Sequence, residues 1–132
     1  MAAIRFLSTA DVLESHRETV ALEGGTPGVR DLGLLESAVA MPQQRFGGVC
    51  LHPDLAAMAA AYLYHLSGNH PFLDGNKRVA VIAAIVFLEV NGVPFVVEPD
   101  DLERIVMRVA SSQMSKADLI RWFRKATPRP RR

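Results

Sequence analysis

With a single cysteine, Cys50, the chain cannot close an internal disulfide, which fits a reducing compartment. Long apolar runs are missing too. The longest, Val79 to Leu88, is about half of the ~20 residues that a membrane-spanning helix requires, so no membrane partner is expected. Met1 to Leu7 is interrupted by Arg5 and passes directly into helix-start residues, so no secretory leader is expected and the cytoplasm is the expected location. No internal repeat and no low-complexity block precedes the last few residues. What is present is enough for one core: 132 residues, of which 49% are hydrophobic, exclude a disordered chain and suit a single domain.

Charge of one sign is also scarce in the body. The net charge is +1, but six of the fifteen basic residues (Arg121, Arg124, Lys125, Arg129, Arg131 and Arg132) fall in the last twelve positions. Positions 1–120 hold nine basic against fourteen acidic residues, a net of −5. A helical domain over 1–126 and a basic, disordered tail over 127–132 are expected, the tail broken by Pro128 and Pro130. Direct nucleic-acid binding is not expected of an acidic body with so short a basic end.

Helix signals recur along the chain. Ser8 or Thr9 can cap a first helix that Gly24-Gly25 stop, and Asp31 a second, Leu32 to Met41, which Pro42 ends. Gln43 to Leu51, with Gly47-Gly48, reads as a loop or a short hairpin. Pro53 suits the first turn of an alanine-rich buried helix, Asp54 to Leu66, closed by Gly68-Asn69. A further helix runs from about Asn76 to Val90 and ends at Asn91-Gly92. After an extended Val93 to Glu98, Asp100 with Glu103, and Ser115 with Asp118, read as two more capping signals. The expected fold is all-α, about six helices with a central buried helix after the 70–78 loop and at most one hairpin flap.

The loop that precedes that central helix carries the chemistry. His70-Pro71-Phe72-Leu73-Asp74-Gly75-Asn76-Lys77-Arg78 places an imidazole, a carboxylate, an amide and two cations in nine residues, immediately before an apolar run. A helix N-terminus has unpartnered N–H groups and a partial positive charge, so it attracts anions. Lys77 and Arg78 each oppose that dipole by about 0.3 to 1 kcal/mol, a placement that makes sense if a phosphate arrives to meet them. His70 is suited to take a proton near neutral pH. Asp74 can cap the helix, hold a hard cation such as Mg²⁺ together with substrate phosphates, or do both. Gly75 permits close backbone approach, while Asn76, Lys77 and Arg78 offer three kinds of donor to phosphate oxygens; Asn76 could instead be a cap. Phe72 reads as a buried anchor, and His16 and His65 as structural histidines. Cys50 close to His52 has the elements of a thiol nucleophile, a pairing common by chance.

The segment His70 to Arg78 resembles the signature of the Fic/Doc superfamily, and Lys77 within it resembles the death-on-curing (Doc) branch, the toxins of toxin–antitoxin pairs. Gly28-Val29-Arg30-Asp31-Leu32-Gly33-Leu34-Leu35-Glu36-Ser37-Ala38 is similar to the segment preceding the signature in that branch, so the likeness covers most of residues 25–92. It implies a compact helical fold, ATP and Mg²⁺ as cofactors, and transfer from ATP to a protein hydroxyl. By this resemblance His70 is the base, Asp74 the Mg²⁺ ligand, and Gly75, Asn76, Lys77 and Arg78 the phosphate-binding group, Lys77 and Arg78 also acting on the transferring group. Two departures from the adenylylating pattern, Lys77 for a glycine and Val81 for a second arginine, imply γ-phosphoryl transfer to elongation factor Tu, which halts translation. A cognate antitoxin with a disordered C-terminal segment is the implied partner. Its binding groove would include exposed apolar residues of the first helix such as Val12, Leu13 and Val20. Thr19 to Gly24 also resembles a short self-inhibitory pattern, but Gly24 already serves as a helix stop. The alternatives are AMP transfer and a catalytically silent helical binding module.

Overall fold

Most helices begin where a side chain can meet their first backbone N–H groups. In the computed structural model, which describes residues 3–127, Ser8 and Asp11 form a reciprocal capping box at the start of α1 (Thr9–Glu23). Asp31 caps α2 (Leu32–Ala40), which passes into a single 3₁₀ turn, Met41–Gln43, where Pro42 withholds the next N–H. Asp54 caps α3 (Leu55–Asn69) and Ser115 caps α6 (Lys116–Ala126). Between the 3₁₀ turn and α3, β1 (Arg45–Phe46) and β2 (Val49–Cys50) form one antiparallel hairpin. Its two turn residues, Gly47 and Gly48, both have positive φ, the combination that a two-residue hairpin turn demands. The fold is all-helical apart from this flap.

Three expected boundaries are corrected. Gly68-Asn69 do not close α3, which runs on to Asn69 and is capped by His70 in the left-handed conformation (φ 47°, ψ 55°). Asp100 is not the cap of α5 (Pro99–Ala110); the helix starts with Pro99 at its first position, and no capping side chain is bonded there, so Glu103 is not part of a capping box. Pro53 is not in the first turn of α3, which begins at Leu55 behind its Asp54 cap. Of the basic residues near the C-terminus, Arg121, Arg124 and Lys125 lie on α6, with Arg124 2.9 Å from the Asp54 cap of α3. The segment expected as a tail lies, apart from Thr127, outside the described residues.

Burial explains which helix the others surround. From Ala56 to Leu63 every residue of α3 is buried, and the five alanines among them let neighbours approach closely. It packs against α2, α4, α5 and α6. The helix after the 70–78 loop, α4 (Asn76–Val90), buries one continuous face: Asn76, Val79, Ala80, Ala83, Ala84, Phe87 and Leu88. Its second face is half-buried. That face reads as apolar because Val81 and Ile82 line a cavity shared with α5. Phe95, stacked on Phe123 (ring centroids 5.5 Å), pins the link between α4 and α5 to α6. Val12 is 1% exposed and belongs to the core, which Leu13 joins as a partly buried neighbour; the first-helix groove expected from these residues is therefore not present in that form.

Candidate active site

The loop between α3 and α4 is built from both sides. His70 ends one helix and Gly75, also left-handed (φ 77°), begins the next, without a side-chain cap. The first backbone bond of α4 runs from the Val79 N–H to the Gly75 carbonyl (3.0 Å). The N–H groups of Asn76, Lys77 and Arg78 thus have no helical acceptor, the condition for anion binding at a helix end. Within the loop Phe72 is the anchor expected, 1% exposed.

Asn76 does something else than sequence reasoning assigned. Its carboxamide accepts from the Phe72 N–H and donates to the Phe72 carbonyl, both at 2.9 Å, and the residue is buried. The amide is thus committed to shaping the loop, and what Asn76 offers a ligand is its backbone N–H. Asp74 is not the helix cap in the usual sense either: one carboxylate oxygen accepts from Gly75 N–H (2.9 Å), the other from Thr26 N–H (3.1 Å). The carboxylate is exposed, and each oxygen keeps a lone pair.

Two supports come from far away in the chain. His16, on α1, lies 3.8 Å from the Phe72 ring at an interplanar angle of 7°, and its Nε2 lies 2.8 Å from the Asp74 carbonyl, so that nitrogen must carry the proton. It is the structural histidine expected, but what it stabilises is this loop. The second support is a strap, residues 25–31, that pairs with the loop through a bridge between Val29 and Phe72 and a bond from Leu73 N–H to the Gly28 carbonyl (3.1 Å). A side chain at Gly25 would bring its Cβ to 3.0 Å from the Asp74 carboxylate, so only glycine lets the strap pass so close. Nothing periodic announces either support; the positive-φ glycines around Pro27 are the one hint of an irregular segment that must fit against another.

These groups meet in a cavity of about 740 Å³. Its polar lining includes His70, Asp74, Gly75, Lys77 and Arg78 from the loop and the start of α4 and Glu103 from α5; its apolar lining includes Val81 and Ile82 of α4 and Leu102, Val106 and Met107 of α5. Lys77 forms no salt bridge among the described residues, whereas Arg78 lies 3.4 Å from Glu23 at the end of α1, both side chains about half exposed. Thr19, by contrast, is turned inward, its hydroxyl bonded to the Ser15 carbonyl (2.8 Å). No group of three or more His, Cys, Asp or Glu side chains able to hold a metal occurs among the described residues. A magnesium ion fits Asp74 only in the manner of phosphate enzymes, with the rest of its shell from phosphates and water.

Residues 6–88 match the model of the Fic/DOC family. The chain belongs to the Fic/DOC family. It is 49% identical over 95 residues to "Toxin Doc" of Mycolicibacterium smegmatis, covering 72% of this chain and 71% of that protein. It is 29% identical over 122 residues to "Protein kinase doc" of Escherichia phage P1, covering 92% and 95%. In this member of the Fic/DOC family the other reactive candidates do not assemble. Cys50 is in contact with Arg45 (Nη1 to Sγ 3.3 Å) and His52 is 2% exposed, so the pair forms no nucleophilic site on the surface. His65 is bonded to Lys116 (2.9 Å). No helix among the described residues is long and apolar enough to cross a membrane.

Proposed function

We propose that this chain is the toxin of a toxin–antitoxin pair and transfers the γ-phosphoryl group of ATP to a hydroxyl of elongation factor Tu, blocking translation. The observation that carries this reading is the uncapped N-terminus of α4, with Lys77 and Arg78 on it, opening into the same cavity as the exposed His70. Donors without acceptors, next to a base, are what phosphoryl transfer asks of a protein, because its catalysis is mostly positioning and charge stabilisation. The names of the two relatives, one a toxin and one a protein kinase, point the same way.

In this reading the backbone N–H groups of residues 76–78 and the Lys77 and Arg78 side chains hold the phosphates, and the nucleoside lies against Leu102, Val106 and Met107. Asp74 would hold Mg²⁺ jointly with the phosphate oxygens; when bound, the ion neutralises their charge. His70 takes the proton of the acceptor hydroxyl as its oxygen bonds to the γ-phosphorus and the bond to the ADP leaving group breaks. Lys77, which fills space at the helix end that a glycine would leave for phosphate, and Val81, which removes a second cation from the wall, favour transfer of the γ rather than the α phosphorus. A cognate antitoxin, its disordered C-terminal segment folding on the toxin, supplies the restraint that a lethal cytoplasmic enzyme needs.

The test is the intact mass of elongation factor Tu after incubation with the purified chain, ATP and Mg²⁺. A gain of one phosphoryl group is expected, and none with the His70→Ala variant. A gain of AMP would make the chain an adenylyltransferase, and an unmodified factor in the presence of folded chain would remove the proposed substrate.

A further inference from the structure

Arg30 lies on the strap, outside the 70–78 loop, yet it gathers three successive carbonyls of the turn that carries His70. Its backbone N–H donates to Pro71 (2.7 Å), its Nε–H to the His70 carbonyl (2.7 Å), and its Nη2 to the Asn69 carbonyl (2.9 Å). Asn69 is itself tied back, its Nδ2 donating to the Leu34 carbonyl on α2 (3.0 Å). His70 is one of two non-glycine residues with positive φ among the described residues. A side chain with a Cβ persists in that conformation only when its surroundings enforce it, and helix ends normally place glycine there. The guanidinium supplies the enforcement. Its planar fork matches two neighbouring carbonyls, and its charge sits at a helix C-terminus, where the last carbonyls lack partners and the dipole is negative. Lysine has the charge but not the fork.

We infer that Arg30 is a positioning residue for His70, its guanidinium gripping the carbonyls of Asn69 and His70 so that the left-handed turn aims the imidazole into the cavity beside the α4 N-terminus. The inference rests on the reading of His70 as the proton acceptor. Arg30 does not line the cavity, so its removal leaves the phosphate-holding groups in place while letting the turn relax. Because misplacing a reacting group by about 1 Å can cost roughly 10²-fold, the loss belongs in kcat and not in the affinity for ATP.

The experiment uses the full chain and its Arg30→Ala and Arg30→Lys variants. Two readouts are taken: steady-state transfer with ATP, and the three-bond coupling between the Asn69 carbonyl carbon and the His70 α proton, which is large only at positive φ and needs no activity. Arg30→Ala is expected to lower kcat on the order of 10- to 100-fold with KM for ATP within about twofold. Arg30→Lys should fall nearly as far. Millimolar guanidinium should restore part of the Arg30→Ala rate and none of the rate of His70→Ala. In both Arg30 variants the coupling should move from the positive-φ value toward an average over conformers. An unchanged coupling, a full rate with lysine, or a rise in KM at constant kcat would each overturn the positioning role. If the unaltered chain transfers nothing while the coupling still shifts on substitution, the transferase reading fails and the grip of Arg30 on His70 stands.

Discussion

His65 and His70 stand five positions apart at the C-terminal end of α3, and the fold treats them in opposite ways. His65 is turned toward α6, where the Lys116 ammonium donates to its Nε2 (2.9 Å), and its pKa is pushed down to about 4 by burial, then by the charge of Lys116 and by His52. His52 beside it is held below its ordinary value for the same reasons, burial first and Lys116 second, and its Nδ1 has no partner among the described residues. His70 caps the helix, exposed, and lines a cavity whose other charged and donor groups are two carboxylates, two cations and unpaired backbone donors. The packed end, with His52 buried and His65 partly so, favours neutral imidazoles. The open end leaves its donors without acceptors, a state that protein interiors avoid and that ligand sites exploit. The contrast teaches that a histidine's part in this protein follows from which side of α3 it faces more than from its neighbours in sequence.

Substitutions at the open and the packed end should have separable effects. At the open end, Lys77→Ala should lower the transfer rate about 10²- to 10³-fold, the usual cost of removing one donor from a developing charge, while its melting temperature stays near that of the unaltered chain because the side chain is exposed. Equal losses of rate and stability would mean that Lys77 is structural. Asn76→Leu should destabilise the fold by about 2 to 4 kcal/mol in urea titration, because it strands the Phe72 N–H and carbonyl in a buried place. A loss below ~1 kcal/mol would show that the loop does not depend on the amide.

At the buried end the prediction concerns acid. Between pH 6.5 and about 4 the unfolded chain takes up a proton at His65 that the folded chain refuses, so stability is full above pH 6.5 and is lost as the pH falls toward 4. The loss should be about 1 to 2 kcal/mol once solvent screening of a partly buried ring is allowed for. His65→Leu should flatten the dependence of Tm on pH over this window, and an unchanged slope would place the acid sensitivity elsewhere. The smallest effect is expected of Glu23→Gln. The Glu23–Arg78 pair is half exposed, so releasing Arg78 should tighten ATP binding about fivefold at most, readable by calorimetric titration.

Much of this arrangement was legible in the chain because it is written in local chemistry. Caps at Ser8, Asp31 and Ser115, the Gly47-Gly48 turn and the apolar run after Arg78 each act within a few residues of themselves. The same locality misled at three points. Gly68-Asn69 has the composition of a helix stop, but the strap stabilises a left-handed His70 two residues later. Asp100 and Glu103 have capping-box spacing, but Pro99 starts the helix sooner and frees Glu103 for the cavity wall. Asn76 has a donor amide at a helix end, but the buried backbone of Phe72 claims both of its polar ends. His16 and Arg30 act across 58 and 40 positions, and no local pattern marks a contact of that separation.

The most direct measurement compares His70→Ala with His65→Ala in one transfer assay, with the melting temperature of each variant recorded alongside. The account predicts that His70→Ala loses about 10²- to 10⁴-fold in rate at unchanged melting temperature, whereas His65→Ala keeps the rate and changes only stability. A folded His70→Ala chain that transfers at the normal rate, or a folded His65→Ala chain that loses it, would contradict the assignment of chemistry to the open end of α3.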